Sequence, residues 1–568
     1  MSELKSVFGI DLGTTYSCIA GIDETGRPVV LRNGAGDNVT PSIVYFGEGE
    51  VIVGRDAREM SRADATRVVE AVKRNMGNPN WKISQDGSEY RAEQISAFIL
   101  RKVVQDAEAR LAETGTDQKI RDVVITCPAY FGPGEREATK AAGELANLNV
   151  LSIINEPTAA AISYGLGAGA KSDGTNADQT VMVYDLGGGT FDVTVITIRA
   201  GEIRVVATGG DRELGGKDWD AALVNHLAAE FEQSQGTLES ILENVETLQD
   251  LWILAESLKR VLTTRETASG RVTHDGMMAK VEVSRERFES LTADLLQRTI
   301  DRSWEMFGEA WAQMRGAASP QSLTPLNRKP EAQKYISKIL LVGGSSRMPI
   351  VAKRLKDEFG VETQMYDPDE CVARGAALYG QRLNLEQEIR KAMQDSPGRS
   401  REDAVAEVAG GYGLPGAMVA ELTSTKIINV ASKSFGIVAL KAPNTEIVFN
   451  LICRNDPVPA TSTQEFNTIA SGQLSVDVRL MENSLITKEA EVSQSVQIGQ
   501  AVFHLPPGLP MGAPLEFTLG LNEQGLVIVR GREPRSGRDF AFEVQSAGVM
   551  TQEEISECRA TGLAMTVQ

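Results

Sequence analysis

The stretch VFGIDLGTTYSCIAGI, residues 7–22, sets a carboxylate, Asp11, at the head of a turn built from Gly13, Thr14 and Thr15 and followed by Tyr16. The same device returns in VMVYDLGGGTFDVTVI, residues 181–196, where Asp185 precedes Gly187, Gly188, Gly189 and Thr190, and Asp192 follows on the next strand. Glycine lets a backbone approach a phosphate and offer its N–H groups, while threonine hydroxyls add donors without charge. A carboxylate repels phosphate, so Asp11, Asp185 and Asp192 imply an intervening hard cation, with magnesium the best match. Either copy alone is compatible with an ordinary hairpin closed by a glycine turn; the pair points to a duplicated phosphate grip. A third piece, ILLVGGSSRMPIV at residues 339–351, reads as a buried strand, a turn of Gly343, Gly344, Ser345 and Ser346, and a helix whose N-terminus can face a polar ligand. The nearest approach to GxxxxGK[ST], in GDRELGGKD, has no hydroxyl after Lys217, which excludes the P-loop class.

Such turns need sheets behind them. The first 383 residues alternate β-rich runs with helical patterns, as in VVITCPAYF followed by GEREATKAAGELANL, which is the α/β rhythm. Near Gly165, GLGAGAKSDGTNADQ reads as a flexible surface loop. Residues 388–413, EIRKAMQDSPGRSREDAVAEVAGGYG, are charged and helical at first, then glycine-rich without strong periodicity, and read as an insertion or hinge. Beyond Lys426 the texture becomes short alternating segments (LSVDVRLM, EFTLGL, LVIVRG) separated by PPG, NEQG and PRSG turns, an antiparallel β pattern. The last stretch begins with a good N-cap, Thr551, and offers one short helix. The expected division is residues 1–383, a joining segment 384–426, a β unit 427–548 and a short helical tail 549–568.

At 568 residues the chain exceeds one compact core, and 42% hydrophobic with 24% charged residues is a globular balance. A formal net charge of -19 opposes nucleic acid and anionic membrane surfaces as partners. The apolar runs are strand-sized, and the opening MSELKSVFGID has no cleavable signal pattern. Five scattered cysteines without CxxC spacing fit reduced thiols in a cytoplasmic compartment. Only three histidines occur, which argues against zinc or histidine-triad chemistry.

With both phosphate turns, INEPTAAAISYGL at 154–166 and VGGSSRMP in hand, the chain resembles the 70-kDa heat-shock-protein (DnaK-like) chaperone family over nearly all of residues 7–383. The resemblance implies an α/β actin-like, two-lobed ATPase domain with ATP at the base of its cleft, followed by an antiparallel β-sandwich. It implies that Gly13, Thr14, Thr15, Tyr16, Gly187, Gly188, Gly189, Gly215 and Gly216 surround the phosphates. Lys73, in AVKRNMGN, would orient the attacking water, although a lysine in helical sequence is ordinarily a solvated residue. Glu156 and Asp185 would position metal-bound waters, Asp11 and Asp185 would hold the metal mainly through water, and Thr190 and Asp192 would lie near the γ-phosphate. In LWILAESLKRVLTT, Glu256, Lys259, Arg260 and Thr263 share one helix face, either an exposed charged stripe or, by the resemblance, an adenosine clamp opposite Gly343, Gly344, Ser345, Arg347 and Asp369. Pro128 and Arg136 match the family's relay between nucleotide and peptide sites.

The β segment resembles the family's substrate-binding sandwich through NVASKSFGIVAL, RNDPVPATSTQEFNT and SVDVRLMEN. Leu440, Ile469, Leu474 and Val476 fall where that family encloses an extended apolar peptide, and they also suit plain inward-facing sandwich positions. Three departures stand out. The linker reads STKIINV, with Lys426 intruding and Asn429 replacing an aspartate; about 40 extra residues, 386–425, precede it; and only 549–568 follow the sandwich, which suggests a lidless variant with faster substrate exchange. The expected function is an ATP-dependent chaperone using ATP/ADP and Mg2+, with K+ as an optional second cation. Its partners would be unfolded polypeptides, a J-domain co-chaperone and a nucleotide exchange factor. The alternatives are a nucleotide-binding scaffold or co-chaperone, and a small-molecule kinase on the same fold.

Overall fold

Phe8–Asp11 and Tyr16–Ile22 pair antiparallel, with Asp11 opposite Cys18, and Phe8–Asp11 lies parallel to Asp122–Cys127, itself parallel to Asn149–Asn155. The parallel strands are almost wholly buried, as expected where helices cover both faces. The second sheet repeats this plan. Gln179–Leu186 and Phe191–Arg199 form the hairpin, with Asp185 opposite Asp192, and Lys338–Val342 is the parallel neighbour. These sheets organise a first and a second α/β body. The computed structural model describes residues 6–62, 64–115, 118–166, 178–199, 201–236, 239–316, 323–442, 445–523, 525–543 and 549–568; most of the loop expected near Gly165 lies outside them.

Two helices, Glu156–Leu166 and Cys371–Asp395, run through the seam between the bodies, in a core that takes Val7, Val124 and Ile154 from one sheet and Val181, Val183 and Leu340 from the other. Their contact demands glycine: a Cβ on Gly375 would stand 1.7 Å from the Ala159 carbonyl oxygen.

The stretch read as a hinge is packed structure. Cys371–Asp395 continues past residue 383, and Arg401–Tyr412 and Gly416–Ser424 follow as helices. Ala404, Val405, Val408 and Ala409 form a buried helical stripe with Val419 and Leu422. The glycines that mask this pattern stand at its end, where Gly413 takes a left-handed φ of 64° and closes the helix. Lys426–Val430 then joins the second sheet, parallel to Glu202–Asp211.

Beyond it, a five-stranded and a four-stranded antiparallel sheet face each other across a core containing Phe435, Ile437, Leu480 and Phe503 from one and Leu515, Phe517, Leu519 and Val529 from the other. In the tail, Thr551 caps the helix Gln552–Ala564. Rather than stopping there, the chain adds a strand, Thr566–Val567, parallel to Glu50–Val53 of the first body. No helix among the described residues is long and apolar enough to cross a membrane.

Candidate active site

The two Asp turns meet across a cavity of about 510 Å3 between the bodies. Their glycines are required by interlocking: a Cβ on Gly188 would lie 1.8 Å from Thr15 Oγ1, and one on Gly189 would lie 2.3 Å from Thr14 Cγ2. Backbone bonds from Gly216 N to Gly187 O (2.9 Å) and from Lys217 N to Gly188 O (2.8 Å) seat the start of helix Gly216–Gln235 against the second turn. Thr15 lines the cavity, and its Oγ1 is buried without a hydrogen-bond partner among the described residues, a donor left open to a ligand.

The floor concentrates negative charge. Asp11 accepts a bond from Thr126 Oγ1 at 3.0 Å, and Asp192 accepts one from Ala129 N at 2.8 Å. Burial, and then the charge of Glu156, push Asp11 up to about 7 despite the pull of Lys73. Burial and Glu156 likewise hold Asp185 and Asp192 well above the ordinary carboxylate range. The paired carboxylates of Asp11 and Asp185 fit a magnesium ion, which typically takes one or two carboxylates, water and substrate phosphate. Asp11 and Asp185 both line the cavity, whereas Asp192 and Gly189 lie just behind its wall with Gly215 and Gly216.

Lys73 is not in an α-helix. It sits in a single 3-10 turn, Val72–Asn75, entered through Ala71 at a left-handed φ of 53°, and is buried in an ion pair with Glu156. Burial works against its charge, but Glu156 and Asp11 outweigh it and raise the ammonium above its usual pKa.

At the other end, Glu256, Lys259, Arg260 and Thr263 all line the cavity from helix Val245–Thr264, facing Gly343, Gly344, Ser345, Arg347 and Asp369. Arg347 pairs with Asp369 at 2.6 Å. Lys259 is buried, bonded to Asp220 at 2.7 Å and to the Gly216 carbonyl at 2.9 Å. Glu256 accepts from the Tyr16 hydroxyl at 2.9 Å and pairs with Arg58 of the first body at 3.0 Å, so it bridges the cleft. Sequence reasoning missed Arg58, Asp220 and the cross-body pair Lys217–Glu70 (2.6 Å), whose partners are remote in the chain; only Arg74 carried a signal, its place beside Lys73.

Pro128 and Arg136 lie toward the sandwich. Arg136 bonds Asn155, the neighbour of Glu156, and the Phe131 carbonyl (3.2 Å), which also accepts from Ser432 Oγ (3.1 Å); the Pro128 carbonyl accepts from Phe131 N. Asn429 accepts from Thr158, two residues beyond Glu156, at 2.9 Å. In the sandwich, Ser434–Ala442 and Ser475–Asn483 pair only from Ser434 opposite Asn483 to Ile437 opposite Leu480, then part. Leu440, Ile469 and Leu474 stand exposed around this opening, at 45%, 60% and 62%, while Val476 is half-buried against the core.

Residues 7–395 match the family described as Hsp70 protein. The chain is 33% identical over 564 residues to the chaperone protein DnaK of Halobacterium salinarum, covering 97% of this chain and 77% of that one. It is 34% identical over 570 residues to the chaperone protein DnaK of Thermotoga neapolitana, covering 98% and 83%.

Proposed function

This chain belongs to the Hsp70 family, whose members are ATPases that bind unfolded polypeptides, and on that footing we propose that it is an ATP-dependent chaperone. The two α/β bodies are the lobes of an actin-like ATPase domain, and the sandwich is the peptide-binding unit. The observation that carries this reading is the buried Lys73–Glu156 pair on the floor of a cleft walled by both Asp turns.

Hydrolysis of ATP transfers a phosphoryl group to water, a reaction in which positioning and charge neutralisation do most of the catalysis. Asp11 and Asp185 would hold magnesium through water, and the bound ion would offset the phosphate charge. Lys73 orients the attacking water, fixed in place by Glu156. The turn amides and the Thr14, Thr15 and Thr190 hydroxyls grip the phosphate oxygens, and Asp192 braces the second turn through Ala129. Glu256, Lys259, Arg260 and Thr263 receive the adenosine opposite Gly344 and Arg347. An extended apolar segment of a client would lie where Ser434–Ala442 and Ser475–Asn483 part, bonding their free edges beside Leu440, Ile469 and Leu474. A J-domain protein and an exchange factor would pace the cycle.

The test is steady-state ATP hydrolysis with and without an unfolded peptide and a J-domain protein. Stimulation by either supports coupling, which must be reciprocal between the two sites. Hydrolysis indifferent to both would leave a nucleotide-binding scaffold in place of a chaperone.

A further inference from the structure

The turn Val72–Asn75 carries two cations in succession, and they diverge. Lys73 turns inward to Glu156 of its own body. Arg74 leaves that body: its Nε donates to the Gly189 carbonyl at 2.9 Å and its Nη2 to Asp218 Oδ2 at 2.8 Å. Gly189 is part of the second phosphate turn. Asp218 stands in the first turn of helix Gly216–Gln235, and the same Oδ2 accepts from Gly215 N at 2.7 Å. Gly215 in turn presses on the phosphate turn, since a Cβ there would stand 2.5 Å from the Gly189 carbonyl carbon.

One guanidinium therefore ties the turn that bears Lys73 to the turn that grips phosphate, with a single residue between the two functions. The described residues that line the cavity do not include Arg74, so it acts behind the site. Arginine suits the task because its planar fork engages a carbonyl and a carboxylate together, whereas a lysine ammonium is a point charge on a flexible stem. The Lys217–Glu70 pair also joins the bodies, so loss of Arg74 would shift the cleft rather than open it.

We propose that Arg74 is a positioning residue: by bridging Gly189 and Asp218 it fixes the separation between Lys73 and the phosphate turn at the value hydrolysis requires. The proposal rests on the ATPase reading above. A misplacement near 1 Å can cost about 100-fold in rate.

The experiment compares the full chain with Arg74→Ala, Arg74→Lys, Asp218→Asn and the Arg74→Ala/Asp218→Asn double variant. Single-turnover hydrolysis, ATP affinity and amide exchange over residues 187–190 are measured for each. Arg74→Ala is expected to lose about 10- to 100-fold in single-turnover rate with ATP Kd within about 3-fold. Arg74→Lys should recover part of the rate, and the double variant should be little worse than Arg74→Ala alone, because groups acting as a unit are not additive. A wild-type rate in Arg74→Ala, a Kd loss as large as the rate loss, or full additivity with Asp218→Asn would each overturn the proposal. If the wild-type chain hydrolyses no ATP, the ATPase reading fails separately. Exchange at 187–190 then decides: about 10-fold acceleration in Arg74→Ala sustains the bridge, and unchanged exchange refutes it.

Discussion

Ile427 stands opposite Ile203 in a parallel ladder, so the segment joining the α/β bodies to the sandwich is itself a strand of the second sheet. Its start has no slack: helix Gly416–Ser424, anchored by buried Val419 and Leu422, ends two residues before Lys426, whose N–H donates to the Gly201 carbonyl at 2.9 Å. Ile427→Asp sets a charge against the Ile203 position and the seam core. We expect the 426–430 amides to exchange at least about 10-fold faster, equivalent to about 1.4 kcal/mol of lost docking. Basal ATP hydrolysis should persist while its response to peptide falls, measured by exchange and by turnover with and without peptide.

What could be read from the sequence follows from how local each requirement is. Close backbone approach leaves glycine as its mark, so Gly188 and Gly189 are visible in the chain before their contacts with Thr15 and Thr14 are known. Helix spacing likewise puts Glu256, Lys259, Arg260 and Thr263 on one face without any coordinates. Arg58 and Asp220 leave no such mark, because what matters is the partner: Glu256 for one, Lys259 for the other. The stretch 388–413 misleads because Gly410, Gly411 and Gly413 gather at a helix end and imitate a hinge, although the stripe of Ala404, Val405, Val408 and Ala409 is present. The strand Thr566–Val567 is too short for any pattern; it exists only because Glu50–Val53 offers an edge.

Removing the Lys73 ammonium should separate binding from turnover. Lys73→Ala is expected to lower single-turnover hydrolysis by at least about 100-fold with nucleotide affinity nearly unchanged, the pattern of an interaction made only in the transition state. It also strands Glu156 in a buried place, a loss of about 3–5 kcal/mol for a broken buried pair. Circular dichroism and ATP titration at reduced temperature must therefore accompany the rate measurement. Undiminished turnover in a folded, ATP-binding variant would remove Lys73 from the mechanism.

The tail is held by few groups. Of residues 549–568, Met550, Ile555 and Val567 are buried in the first body's core, while Arg101 donates to the Gly562 and Met565 carbonyls at 2.5 and 3.0 Å, satisfying acceptors at the helix end. A cavity of about 370 Å3 remains between the tail and the face that carries Tyr90, Phe98 and Arg101. Arg101→Ala should weaken docking by about 1–2 kcal/mol, the worth of the lost bonds, and Val567→Asp by more. The reporter is the Val53 amide, which donates to the Gln568 carbonyl at 2.8 Å. Its exchange should accelerate in both variants while the buried strand Asp122–Cys127 is unaffected.

The cluster around Asp11 makes stability depend on pH in a direction opposite to that of salt-bridged carboxylates. Asp11 titrates near 7 in the folded chain against an ordinary value of 3.8, because burial and Glu156 disfavour its charge. Between those values the folded state binds more protons than the unfolded state, so this group's contribution to stability falls as pH rises from about 4 to 7. Asp11→Asn removes the cost of ionisation. The variant should therefore unfold later than wild type at pH 7.5, by on the order of a few kcal/mol, and the difference should shrink at pH 4.5, where Asp11 is protonated in the folded state but still largely ionised in the unfolded one. Magnesium and ADP should invert the order at pH 7.5, since a bound cation favours the carboxylate and binding stabilises only the folded state. Denaturant melts at the two pH values, with and without the nucleotide, check all three signs. A variant no more stable than wild type at pH 7.5 without nucleotide would show that the Asp11 charge is already compensated in the free protein.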